Sequence, residues 1–135
     1  MTAAGLLAAP LAGPAVRPLL VLVVDDEHFV RRVVCEVLEL AGHTVVEATS
    51  ANEALGVARD GRRAIDVLVT DLALPGVEGP ELAELLLCTL PGLGIVFASG
   101  FSDDAELTER FPGSVFLQKP FTVQALAAAV ATAGH

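Results

Sequence analysis

The sequence predicts an α/β domain, doubly wound, with a five-stranded parallel sheet and helices on both faces. Three observations predict it. Five short runs rich in Val, Leu and Ile recur along the chain, and the segments between them repeat apolar residues at helical spacing. The runs are mostly continuous in apolar character rather than alternating, as in parallel strands buried on both faces. Finally, 53% of the residues are hydrophobic but only 4% aromatic, with no Trp or Tyr, so the core is aliphatic.

The strands are expected at residues 19–24, 44–48, 65–70, 94–98 and 114–117. The first helix, over 28–41, places Val30, Val33, Val34, Val37, Leu38 and Ala41 on its buried face and Arg31, Arg32, Glu36 and Glu39 elsewhere, and Gly42 stops it. Ser50 to Glu53 reads as a capping box for the second. Gly79-Pro80 opens the third, over 81–90, because proline is tolerated in a first helical turn, and Pro91-Gly92 ends it. A short fourth helix is expected within 102–110, made irregular by Pro112 and Gly113. Thr122 caps a fifth over 123–131, with Val123, Leu126 and Val130 as its buried stripe. Its many alanines suit either helix formation or an apolar face for a partner.

Residues 1–18, mostly Ala, Leu, Gly and Pro, read as a flexible leader or linker ahead of a domain over 19–133. No basic residue precedes the apolar stretch as in a signal peptide, and its prolines prevent a spanning helix. Seventeen acidic against eight basic residues give a formal charge of −9, which argues against nucleic acid and anionic membranes as partners. Cys35 and Cys88 fall in apolar helical patterns and read as reduced core thiols of a cytoplasmic protein. His28, His43 and His135 are isolated and read as surface or packing residues.

In open parallel sheets ligands gather outside the carboxyl ends of the strands, and here those ends are polar. The first strand runs into Asp25-Asp26-Glu27, the third delivers Asp71, the fourth ends on Ser99-Gly100 and the fifth on Lys119-Pro120. Singly, each has a bland explanation: an acidic pair caps helices and a lone Asp forms turns. Together, at one edge of one sheet, they specify a chemistry. Converging carboxylates repel unless a cation joins them, and Mg²⁺ needs only one or two carboxylates with waters. A lysine and a hydroxyl nearby suit a phosphoryl group, and an aspartate can be its acceptor.

At these residues the chain resembles the receiver domains of two-component response regulators and hybrid sensor histidine kinases. The resemblance covers about residues 18–133. It rests on Asp25-Asp26-Glu27 after the first strand, on Thr70-Asp71-Leu72-Ala73-Leu74-Pro75-Gly76, on Ala98-Ser99-Gly100 and on Gln118-Lys119-Pro120-Phe121. It implies a flavodoxin-like receiver fold and a phosphorelay function. Asp71 is then the phosphoacceptor, fed by phosphohistidine on a sensor histidine kinase or His-containing phosphotransfer protein. Mg²⁺ is held by Asp26, by Asp25 through water, by Asp71 and by the backbone carbonyl of Ala73. Lys119 is the lysine that pairs with the phosphoryl group, and Ser99 and Phe116 form the switch. Lys119-Pro120 is expected to be cis. The output face combines the fourth helix, fifth strand and fifth helix, and is a possible homodimer surface.

The chain departs from the commonest pattern in using Ser for Thr at position 99 and Phe for Tyr at 116. Ala73 and Phe101 offer no group to position attacking water, which implies slow self-hydrolysis. The resemblance leaves open a stand-alone receiver, a part of a hybrid kinase, and a pseudo-receiver that acts as an interaction module without phosphorylation. A dehalogenase-like phosphatase would need a second acid where Ala73 stands, and a flavin or nucleotide binder would need a glycine-rich loop in place of Asp25-Asp26-Glu27-His28.

Overall fold

A computed structural model describes residues 17–62, 64–100 and 105–134. Five strands, β1 (Leu20–Val24), β2 (Thr44–Ala48), β3 (Val67–Asp71), β4 (Gly94–Ser99) and β5 (Val115–Gln118), alternate with five helices. The helices are α1 (His28–Leu40), α2 (Ala51–Asp60), α3 (Gly79–Thr89), α4 (Ala105–Arg110) and α5 (Val123–Ala133). Every strand pairing is parallel and the order is β2-β1-β3-β4-β5. The chain therefore winds outward from β1 in one direction and returns past it in the other, which opens a crevice between the carboxyl ends of β1 and β3.

The sheet sorts its side chains by the period of two. Leu22, Val24, Leu68 and Phe97 face α2, α3 and α4, while Val21, Val23, Val67, Val69 and Val96 face α1 and α5. Val21, Leu22, Val67, Leu68 and Val96 are fully buried, as the continuous apolar runs require. Phe97 meets Phe111 edge to face, with ring centroids 5.2 Å apart.

The local starts and stops follow the sequence. Ser50 accepts from the amide of Glu53 at 3.2 Å, while Glu53 reaches back to the amide of Thr49 at 2.7 Å, one residue beyond the usual capping-box partner. Thr122 accepts from the amide of Ala125 at 3.0 Å. Gly42 follows α1 at φ 98°, a left-handed conformation that suits glycine.

Several expectations need correction. The third strand starts at Val67 rather than 65, because the Asp66 carboxylate takes the Leu20 amide at 2.8 Å, in place of a backbone carbonyl. Val33 and Val123 are 41% and 40% exposed, since neither helix packs through its whole apolar stripe. Arg31, expected off the apolar face of this helix, is buried. Cys35 is buried as expected, its thiol pushed up to about 12 chiefly by burial, but Cys88 is exposed on α3. The expected helix start at 102 and Phe101 lie outside the described residues, as do residues 1–16 and His135. Among the described residues no helix is long and apolar enough to cross a membrane.

His43 is buried just before β2, and its Nδ1 accepts the amide of Leu19 at 3.1 Å. Burial lowers its pKa below the ordinary 6.5. The unfolded chain thus takes up this proton first, so stability is full above pH 6.5 and declines as pH falls from there toward the lower folded value. We expect the urea midpoint of wild type to drop through this window, and His43→Asn to lack that component of the pH dependence.

Candidate functional site

The carboxyl edge of the sheet assembles the site through its register. Val24 lies beside Thr70 in the β1–β3 ladder, Asp71 beside Ala98 in β3–β4, and Ser99 beside Gln118 in β4–β5. The residues that follow these strand ends are therefore neighbours in space.

Lys119 sits at the centre. Its Nζ donates to Asp71 Oδ2 at 2.9 Å and lies 3.5 Å from Asp25 Oδ2, so one ammonium joins two carboxylates from different strands. Burial alone would lower the lysine's pKa, but the hydrogen bond to Asp71 and the charge of Asp25 outweigh it and hold the pKa above its ordinary value. The lysine is thus a fixed cation at physiological pH. Its backbone is fixed as well: the Lys119 amide donates to the Ser99 carbonyl at 2.7 Å, and the Lys119-Pro120 bond is cis as expected.

Asp25 is 6% exposed and tightly bonded: its Oδ1 accepts from the Glu27 amide at 2.9 Å and its amide donates to Ala48. Asp71 is half-buried at the mouth, and its Oδ1 accepts from the Ala73 amide at 3.3 Å. Asp26 and Ala73 are exposed beside them. Ser99 is buried at the end of β4, while Phe116 is half-buried on the α2/α3/α4 face, opposite Phe97 in the ladder. Lys119 thus contacts both Asp25 and Asp71, with Asp26 next to Asp25 in the chain and Ser99 bonded to the Lys119 backbone, whereas Phe116 lies further into the sheet beside Phe97.

No three His, Cys, Asp or Glu side chains among the described residues converge as a ready metal cage. The donors instead suit a hard cation that keeps most of its water: two carboxylates on one ammonium, a third exposed next to them, and open access. Mg²⁺ fits such a set better than a dehydrated, fully caged ion.

Two supports escaped the sequence reading. Gly79, read only as a helix start, donates its amide to Leu72 at 2.8 Å, and a Cβ there would fall 2.2 Å from the carbonyl oxygen of Asp71. The start of α3 is therefore pressed against the backbone that carries Asp71. Arg31 donates to the carbonyl of Asp25 at 2.8 Å. The available signal was Glu47, a lone acid within the Val-rich second strand, which needs a cationic partner.

Residues 21–131 match the family described as Response regulator receiver domain. The sensor kinase CckA of Brucella abortus (strain 2308) is 36% identical over 113 residues, 82% of this chain and 12% of CckA. The response regulator protein FleR of Pseudomonas aeruginosa is 34% identical over 108 residues, 78% of this chain and 22% of FleR. The chain thus spans less than a quarter of either relative. The solved receiver domain from the hybrid histidine kinase CckA shares 32% identity at a TM-score of 0.68, covering 86% of this chain and 99% of that one. Chemotaxis protein CheY4 of Vibrio cholerae matches in fold, with a TM-score of 0.78 at 24% identity, covering 87% of this chain and 99% of that one.

Proposed function

The chain belongs to the response regulator receiver domain family, the signalling domains of two-component systems, and from that premise we propose that it accepts a phosphoryl group on Asp71 from a phosphohistidine donor. The observation that carries this reading is the Lys119 ammonium, 2.9 Å from Asp71 and 3.5 Å from Asp25. A carboxylate oxygen of Asp71 attacks phosphorus as the nitrogen–phosphorus bond of the donor breaks, and the imidazole leaves with the bonding pair. Lys119 lies where negative charge accumulates on the transferring group, and it is already oriented, so little reorganisation is needed. Asp25 and Asp26, with Asp71 and the carbonyl of Ala73, would hold Mg²⁺, which supplies charge neutralisation for the phosphoryl oxygens when bound.

A macromolecular donor has a surface to meet beside this site. Phe29, Val30, Val33 and Val34 of α1, with Lys119, Pro120 and Phe121, line an apolar groove, and Phe29 is 78% exposed. Lys119 borders both groove and acceptor. A phosphohistidine-bearing helical protein seated on the groove buries this apolar surface while presenting its imidazole to Asp71.

After transfer, Ser99 donates to the new phosphoryl oxygens and Phe116 moves inward behind it, altering the face of α4, β5 and α5. The same face is the candidate homodimer surface, which sedimentation with and without phosphorylation would reveal.

The test is a beryllofluoride titration followed by NMR, with and without Mg²⁺. Mg²⁺-dependent shifts are expected at Asp71, Ser99 and Phe116 and across α4, β5 and α5. In Ser99→Ala the shifts at Asp71 should persist while those on the output face shrink. An unresponsive wild type would defeat the phosphoacceptor reading and leave a pseudo-receiver that works through its surfaces.

A further inference from the structure

Arg31 is 6% exposed, and each nitrogen of its guanidinium has a neighbour. Nη1 donates to the carbonyl of Asp25 at 2.8 Å, Nε donates to Glu47 Oε1 at 3.0 Å, and Nη2 lies 3.0 Å from Nδ1 of His28. A buried cation is costly unless its donors are satisfied in this way. An ion pair between α1 and β2 would not need Arg31, because Arg32 already pairs with the other oxygen of Glu47.

The carbonyl of Asp25 belongs to the peptide that joins Asp25 to Asp26, so the bond from Arg31 orients that peptide plane. The other polar groups of Asp25 are engaged elsewhere: the amide with Ala48 and the carboxylate with Glu27 and Lys119. Asp26 is exposed, and the direction of its carboxylate follows from the backbone that carries it.

We infer that Arg31 is a positioning residue for the acidic pair: it anchors the Asp25–Asp26 peptide and so aims the Asp26 carboxylate, while Glu47 steadies the guanidinium. This rests on the reading of Asp25 and Asp26 as the cation's ligands. A planar fork reaches a carbonyl and a carboxylate at a fixed angle, which an ammonium on a flexible stem does not. Charge alone acts in the opposite sense, because a cation beside the pair repels a divalent ion. The sign of the effect therefore separates anchoring from electrostatics.

The experiment is calorimetric titration of Mg²⁺ into the unphosphorylated full chain, with urea unfolding of each variant. Arg31→Met is expected to weaken Mg²⁺ binding about tenfold or more, the usual effect of losing a support behind a metal ligand. Arg31→Lys should fall between it and wild type, and carries the test if Arg31→Met does not fold. Glu47→Gln, which spares the bond to Asp25, should bind Mg²⁺ nearly as wild type does. Tighter binding by Arg31→Met overturns the inference, as do equal losses in Arg31→Met and Glu47→Gln that track their unfolding midpoints. If wild type itself takes up no Mg²⁺, the phosphoacceptor reading fails, and the metal-free amide of Glu27, bonded to Asp25 Oδ1, decides the anchoring. An upfield move of that amide proton in Arg31→Met but not in Glu47→Gln supports the anchor, and an unmoved proton overturns it.

Discussion

Asp71→Asn is expected to reduce phosphoryl uptake from a phosphohistidine or acetyl phosphate donor to background, as read by intact-mass spectrometry. The amide keeps the shape of the carboxylate but has no anionic oxygen to attack phosphorus, so the loss is complete rather than graded. The fold should survive. The pair that Asp71 makes with Lys119 is only partly exposed, 20% and 25% for the two side chains, but the amide also removes one of the carboxylates that crowd the site, which offsets the lost pair. Asp25 remains beside the lysine to hold it. A variant that keeps its unfolding midpoint but takes up no phosphoryl group isolates the acceptor. Uptake at the wild-type level would move the acceptor to another residue.

Phe97→Ala should have the largest effect on stability. Phe97 is 1% exposed in β4 and meets Phe111 edge to face at 5.2 Å. Removing a buried Phe costs about 3–5 kcal/mol through lost transfer energy and the cavity left behind. Set against a total of about 5–15 kcal/mol for a natural domain, that is a large share. A melting point lower by at least about 12 °C is expected for a domain of this size. Ser99 lies two residues further along the strand, so the damage reaches the site as well. Phe97→Leu, which refills most of the volume, should recover much of the loss. A melting point within a few degrees of wild type in Phe97→Ala would mean that the core repacks around the gap.

Much of this arrangement was legible because parallel strands write their burial into the chain. Val21 to Val24 and Val67 to Val69 are apolar without interruption, and the polar residues that end such runs fall at one edge by topology alone. The contact of Lys119 with Asp25 and Asp71 follows from that edge. Arg31 was illegible for a different reason. Helical spacing sorts residues into apolar and polar faces, and a guanidinium that is buried because it bonds a carbonyl looks like any surface charge. Val33 and Val123 failed in the opposite direction, since each fits the apolar stripe of its helix yet is exposed; Cys88 lies in an apolar run but two residues beyond buried Leu86, on the other side of α3. Gly79 gave no signal as a close-approach site, since its neighbour across the gap is backbone, which carries no residue type to read.

The light packing of α4 has a consequence for how the domain breathes. Among the described residues it has six positions and one buried side chain, Leu107, whereas α1 buries five. Little apolar contact must be undone to open it, so its amides should exchange with deuterium long before those of β1 and β3, which wait for global unfolding. Native-state hydrogen exchange would show this as a low-energy opening unit at one corner of a stable sheet. A helix so lightly held costs little to reorder, and its surface is the one that a small rearrangement of the neighbouring strand ends would change first.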